Sequence, residues 1–572
     1  MKIPDKFYKD FSGGIRRDKS PYDLKDNELR NGRNFEIDKR GRIVKRRGSL
    51  QFGQDLASII QFHSDANGTF AANYHATQLV VYKLKSSTND SALTTATTSI
   101  AVSPSGQFIA GPANAEINGD EFTYQSGGGG SPLATVTGIS ESHDATNIIQ
   151  QWQTIGTLNG TRTPVSIDGC WFSFLNGLTV ILAYNSVGSP ASVMSTYDGS
   201  NIADVATLDV ATKLLENFRD KIFTVSGNGS RVYYSNLGAV AFPTTIEDNS
   251  FDIEDQLGEP ITAIKQYRKN LIIAKQSSMF AYPGSLPVRQ LTTTWGVYNE
   301  NCLQEVRGIL YGIGPEGVFM SNGVSFVDIG EPVKEYIKSN LNIDYTDGSN
   351  VSDISLTRTA QFDNKFIIYI NDFTDPETDT SATKLALVYD TVKKNWVIWR
   401  DISASSAFKS LTNFRSGNGA PGVIQRRPIL LFSNGSEVYR MFENRTLQQV
   451  TAGGRTRGTD RFSDEYHDAT GTPITMNVTT KPFDLGYPNW KKEFGYLKVF
   501  TERPQGMSIS VIIDDGDPIP LGQCRGRINR FKFPPNTKGT RCAIIIDESS
   551  TTSSAIFNGC IFEECKTVDQ NV

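Results

Sequence analysis

"VRGILYGIGPEGVFMSNGVSFVDIGEPV", residues 306–333, places short apolar and aromatic runs between Gly, Pro and Asn-Gly punctuation. A two-residue hairpin turn needs positive φ at its central positions, which Asn-Gly supplies at little steric cost. The chain has ten such pairs, starting at Asn31, Asn67, Asn118, Asn159, Asn176, Asn228, Asn322, Asn418, Asn434 and Asn558. Between them lie β-branched and aromatic runs: "QLVVYKL" (78–84), "RVYYSN" (231–236), "NLIIAK" (270–275), "KFIIYI" (365–370), "KLALVYD" (384–390) and "NWVIWR" (395–400). Their length and composition read as strands. The chain is therefore all-β.

The quoted stretch is one of several loosely recurring meanders of roughly 40–60 residues, about the size of one propeller blade. A β-propeller is expected over residues 51–85 and 168–469, with a large sandwich as the competing architecture. Residues 86–167 break the pattern with Ser, Thr and Gly, including "SGGGGS" (126–131), and read as an inserted small β-rich domain. Within it "ATNIIQQWQTI" places Ile148, Ile149, Trp152 and Ile155 on one face of an expected helix. A second helix is expected over 331–342, with Val333, Tyr336, Ile337 and Leu341 on one side. Alternation in "SISVIID" and "CAIIIDE" marks residues 470–572 as a C-terminal antiparallel β-sandwich.

At 572 residues the chain is long enough for two to four domains. Its apolar fraction of 38% and charged fraction of 21% are those of a globular protein, and no apolar run is long enough to span a bilayer. Charges in "MKIPDKFYKDF" argue against an export signal, so residence in the cytoplasm that made it is expected. Six scattered cysteines form no C-x-x-C pair and suit buried thiols better than a disulfide framework. Residues 1–50 carry fifteen Lys/Arg and eight Asp/Glu, a balance of +7 that leaves −11 for the remainder. Only this amino-terminal arm offers a basic surface; the body would repel a polyanion.

Signs of covalent chemistry are few. His63, His75, His143 and His467 stand far apart and form no metal-ligand spacing. Gly417, Gly419 and Gly422 spell G-x-G-x-x-G, but Pro421 and the strand-like run that follows exclude the helix a dinucleotide site requires. The acidic clusters at 371–379 and 514–517 lack EF-hand spacing and read as solvated turns. "TTTWGVYN" around Trp295 lacks the Asp and Gly of a sialidase box. No enzyme activity and no cofactor or metal are expected.

The segment "FSGGIRRDKSPYDLKDNELRNGRNFEIDKRGRIVKRRG", residues 11–48, resembles the start of tail nozzle, or packaged-DNA stabilisation, proteins of short-tailed bacteriophages. Phe11, Gly13, Gly14, Asp18, Pro21, Leu24, Glu28, Asn34, Gly41, Arg46 or Arg47, and Gly48 carry the resemblance, with "RVYYSN" and "KPFDLGYPNWKKEFGYLKV" adding to it. The resemblance implies a propeller-based subunit of a ring, commonly a hexamer, below the portal and adaptor rings. Such a ring retains packaged DNA and passes it outward. It implies as partners the adaptor protein, tail fibre or tail spike proteins and, transiently and without specificity, viral double-stranded DNA. The virion tail, assembled in the bacterial cytoplasm, would be its location.

In that setting residues 1–50 read as an assembly arm or strap. Arg16, Arg17, Lys39, Arg40, Arg42, Lys45, Arg46 and Arg47 could pair with carboxylates of a neighbouring ring, or the segment could strap its own chain through a hairpin at Arg40-Gly41. Charge reversal at Arg46 and Arg47 is expected to weaken docking and leave the fold intact. A carbohydrate-binding or carbohydrate-cleaving propeller acting as a receptor-binding tail component is the alternative. A third reading, a DNA-binding factor, would need steeply salt-dependent duplex affinity.

Overall fold

The computed structural model describes residues 1–568 except some isolated positions and short gaps and the stretches 104–107, 128–131, 143–147, 159–168, 186–190, 206–209, 341–356, 371–384, 401–407, 412–428, 442–449, 456–473 and 551–554. Among the described residues seven antiparallel meanders follow one another. Blade 1 is Ile59–Asp65, Gly68–His75, Gln78–Asn89 and Ile148–Leu158. Blade 2 is Gly169–Leu175, Leu178–Asn185, Ala191–Tyr197 and Ile202–Asp204. Blade 3 is Thr212–Phe218, Lys221–Ser226, Arg231–Tyr234 and Ser250–Asp252. Blade 4 is Ala263–Tyr267, Asn270–Ala274, Met279–Tyr282 and Arg289–Thr292.

Blade 5 is Leu303–Val306, Ile309–Gly314, Gly317–Ser321 and Phe326–Asp328. Blade 6 is Arg358–Phe362, Lys365–Ile370, Leu385–Asp390 and Asn395–Arg400. Blade 7 is Phe408–Leu411, Ile429–Asn434 and Glu437–Met441, and its outer strand is Ser49–Gln51 from the other end of the chain. The first strands of successive blades touch in order, and that of blade 7 touches that of blade 1. The ring of blades is closed, which leaves only short, protected strand edges.

Turns between the first and second strands stitch each of several blades to the next. Asn67 Nδ2 donates to the Gly177 and Tyr197 carbonyls of blade 2 at 2.8 and 3.2 Å. Asn176 Nδ2 donates to Gly238 of blade 3 at 2.7 Å. Arg268 donates to Gly308 and Asn322 of blade 5 at 3.0 and 3.3 Å.

The insert is a local excursion. The third and fourth strands of blade 1 run past the ring as a long ladder and carry the inserted residues at its far end, where Ala113–Ile117 and Asp120–Tyr124 extend the sheet. Leu93, Ile100, Phe108, Phe122, Leu133 and Ile149 belong to a separate small core there. The expected helix at 145–155 is instead the strand Ile148–Leu158. Pairing along nearly its whole length with Leu79–Thr88 overrides the local helical periodicity. The second expected helix is present as a short turn, Glu331–Val333, followed by Lys334–Asn340, with Val333, Tyr336 and Ile337 buried. Among the described residues no helix is long and apolar enough to cross a membrane.

The sandwich is assembled from both ends of the chain. One sheet runs Phe35–Ile37, Ile43–Lys45, Ile556–Glu563, Tyr496–Glu502, Ile528–Lys532, with Lys6–Tyr8 also paired to Ile556–Glu563. The other runs Gly14–Ile15, Glu28–Arg33, Met476–Thr480, Cys542–Glu548, Met507–Ile513, Ile519–Gln523. Of the arm or strap expected over residues 1–50, the strands supply part of both sheets, as a strap on its own chain does.

Candidate assembly interface

The segment that carried the resemblance lies between the sandwich and blade 6. Phe11 is fully buried, its ring centroid 5.5 Å from that of Phe557. Gly14 has φ +66°, and a Cβ there would lie 2.7 Å from the Trp396 carbonyl oxygen, so a side chain would push the sandwich off the blade. Asn395 Nδ2 donates to the Ser12 carbonyl at 2.7 Å, fixing the same contact from the other side. The outer strand of blade 6, Asn395–Arg400, is consequently buried at all six positions, whereas that of blade 4, Arg289–Thr292, is not.

Asn34, at φ +57°, is the centre of this junction. Its side-chain oxygen accepts from Arg46 Nε and from the Arg400 amide, each at 2.8 Å. Its amide donates to the Ile398 carbonyl at 2.8 Å, and its Nδ2 to the Thr475 carbonyl at 3.0 Å. Arg46 Nη2 donates to the Arg400 carbonyl at 2.6 Å. One asparagine and one arginine thus tie blade 6, the first strands and the start of the C-terminal domain together.

Lys45 and Glu548 form an ion pair at 2.7 Å with both side chains inaccessible to solvent. The Lys45 ammonium also donates to the Ser550 carbonyl at 2.5 Å. Burial pushes the Lys45 pKa down and the Glu548 pKa up, so desolvation of the two charges outweighs their attraction.

The remaining expected cations divide by exposure. Arg42 Nε donates to Asp38 Oδ2 at 2.7 Å and its Nη1 to Glu502 Oε1 at 2.7 Å. Arg16 makes a two-pronged pair with Asp18 at 2.8 and 2.6 Å. Arg17 sits 3.6 Å from Glu335 and over the Tyr336 ring. Lys39 and Arg40 are exposed on the Asp38–Arg42 turn, where Gly41 has φ +76° and lies against Asp10. Arg47 lies outside the described residues.

The expected assembly surface is therefore corrected. Lys45 and Arg46 are internal, Arg42 is satisfied within the chain, and the intrachain strap describes this segment. Charge reversal at Arg46 would place a carboxylate among carbonyl oxygens and could not leave the fold intact. Asn34 entered the sequence analysis only as one of the residues that carry the resemblance, with no sign that it is the hub of this joint.

Other candidates resolve structurally. His63 Nε2 lies 2.9 Å from Asp65 Oδ2, which also accepts from Thr179 Oγ1 at 2.8 Å, so this histidine braces blade 1 against blade 2. Asp514 accepts from the Thr540 and Arg541 amides and the Thr540 hydroxyl, and Asp515 pairs with Arg30 at 3.0 Å. His143, His467, the 417–422 glycines and the 371–379 acidic cluster lie outside the described residues, as does the side chain of His75.

Lys492 was not anticipated. It is fully buried, its pKa lowered by that burial, and its ammonium donates to the Tyr487, Trp490 and Thr540 carbonyls at 2.6, 2.8 and 2.6 Å. These bonds hold the loop bearing half-exposed Trp490 near Arg541, whose guanidinium stacks on half-exposed Tyr22.

No family model and no curated protein matches the sequence. Among solved structures, the extracellular domain of a putative one-component system from B. thetaiotaomicron is similar at 11% identity, over 93% of this chain and 62% of that one, with a TM-score of 0.31. A protein titled glycoside hydrolase is similar at 10% identity over 69% and 97%, with a TM-score of 0.22. Hsv2 of Kluyveromyces lactis is similar at 10% identity over 60% and 98%, with a TM-score of 0.27. None of these likenesses carries a function to this chain.

Proposed function

We propose that this all-β chain is a structural subunit of a phage tail, a nozzle or hub ring below the portal and adaptor that retains packaged DNA and conducts it outward. The observation carrying this reading is where the resembling segment sits. Phe11, Gly14, Asn34 and Arg46 join two large β-bodies, and a ring standing against the pressure of packaged DNA needs such a joint in every subunit. Retention and conduction require no covalent step, and a body with a balance of −11 outside residues 1–50 grips phosphates weakly.

Native mass measurement of the purified 63.0 kDa chain tests the reading. A closed ring of about six copies is expected, binding an adaptor ring and showing no steeply salt-dependent duplex affinity. A stable monomer at micromolar concentration, with no affinity for an adaptor, would overturn it.

A receptor-binding role is favoured by one feature, the exposed Trp490 and Tyr22 on a single end of the sandwich, since exposed rings stack on sugars. Glycan-array binding lost on Trp490→Ala would support that role over the nozzle.

A further inference from the structure

Blades 4 and 5 carry opposite charges on their two faces. In an up-and-down blade, the turns after the first and third strands share one face, and the other connections share the opposite face. On the first face, exposed Arg219, Arg268, Lys269 and Arg307 occupy successive first turns, and none has an ion-pair partner among the described residues. Beside them the third-strand connections of blades 3, 4, 5 and 6 each present one aliphatic tip: Leu237 at 73% exposure, Leu286 at 64%, Val324 at 73% and Val392 at 56%.

Hydrogen bonds and close approaches place these tips with the cations. Gly238 donates to the Asp220 carbonyl at 2.7 Å, the Arg219 guanidinium lies against Gly284, and Arg268 donates to the Asn322 carbonyl. Thr391, beside Val392, donates to the carbonyl of Asn364 in the first turn of blade 6. Among the described residues the acids at the turns of this face are Asp220, Glu247 and Asp248 in blade 3 and, in blade 6, Asp390, which pairs with Lys393 at 2.7 Å. On the opposite face of the same arc lie exposed Glu254 and Glu316 and half-buried Glu259 and Glu300, also without ion-pair partners among the described residues. Lys275 on that side is buried, donating to the Ile253 carbonyl at 2.9 Å and to the Ser230 hydroxyl.

We infer that the aliphatic-tipped face of blades 3 to 6, cationic over blades 4 and 5, docks a second copy of this chain through the acidic face of that copy's blades 3 to 5. Unpaired charges of opposite sign on one arc are complementary between copies, and the four exposed aliphatic tips are what a protein surface covers and a phosphodiester backbone does not. A head-to-tail contact of this kind joins two different surfaces, so it closes into a ring when its rotation permits. The inference rests on the ring reading and specifies which surfaces form the ring.

The test is native mass spectrometry with analytical ultracentrifugation of the full chain. Leu286→Glu with Val324→Glu, and separately Lys269→Glu with Arg307→Glu, are expected to remain folded by circular dichroism and melting while self-association weakens at least about a hundredfold. Glu254→Lys with Glu316→Lys should weaken it similarly, and mixing this variant with the Lys269/Arg307 variant should restore mixed oligomers. A wild-type ring that all three folded variants still form would overturn the inference and leave the ring reading standing. A wild-type monomer would overturn both. Loss of binding to a 30-base-pair duplex in the cationic-face variant, with assembly unchanged, would assign the face to nucleic acid instead.

Discussion

The insert and the sandwich are both additions to one propeller, and they are attached in opposite ways. The insert leaves and returns through adjacent strands, Ile148 opposite Thr88, and packs on its own small core. The sandwich draws strands from residues 6–45 and 476–567 and shares one continuous hydrophobic cluster with blades 4 to 7. A local excursion can be removed at the cost of a turn; a structure knitted from both termini cannot. The difference is one of chain topology, since both additions are small antiparallel β structures.

Five changes test this contrast. Deleting residues 1–45 takes strands from both sandwich sheets and uncovers blade 6, and should give insoluble or unfolded protein; a soluble chain with a cooperative melt would show the sandwich to be as separable as the insert. Arg46→Glu should cost more than about 4 kcal/mol by placing a carboxylate against the Asn34 and Arg400 oxygens, read from urea unfolding. At the neighbouring ion pair, Lys45→Met alone should cost about 3–5 kcal/mol, whereas Lys45→Met with Glu548→Leu should be close to neutral.

A smaller, pH-dependent effect is expected at Asp38. Burial pushes its pKa up, but the Arg42 amide, the Arg42 guanidinium and the Arg40 amide outweigh that and hold it below the usual carboxylate range. Its lowered folded pKa contributes stability above roughly pH 4 that is lost as pH falls through the folded value. Asp38→Asn should therefore lower the urea midpoint at pH 6, with the deficit shrinking at more acid pH. Smallest of all, replacing residues 90–147 by a two-residue Asn-Gly turn should leave the propeller's melting temperature within a few degrees; collapse of the ring would show that the insert supports it.

The all-β class was legible because turn chemistry is local. Asn67-Gly68, Asn176-Gly177 and Asn322-Gly323 lie at strand-to-strand connections. Asn31-Gly32 and Asn558-Gly559 instead lie within paired strands, where neighbours on both sides supply the constraint. The tight turns at Arg219-Asp220 and Arg268-Lys269 carry positive φ at Arg219, Asp220 and Arg268 without glycine, and nothing local announces them.

The joint at Asn34 could not be read for the same reason: Arg46 is twelve residues away, but Arg400 and Thr475 are hundreds. One hint was present in "NWVIWR". Its apolar residues fall on both faces of an outer strand, which a propeller exposes unless something covers it. The cover is the amino-terminal segment, the one that the sequence allowed as either an assembly arm or a strap on its own chain.

Ser49–Gln51 pairs with Glu437–Met441, and Lys6–Tyr8 with residues 560–562. During synthesis the first fifty residues therefore leave the ribosome long before the strands that receive them exist. Such distant pairings make closure slow. They also time it: until residues 437–441 and 560–562 have been made, the ring is unsealed and the sandwich incomplete.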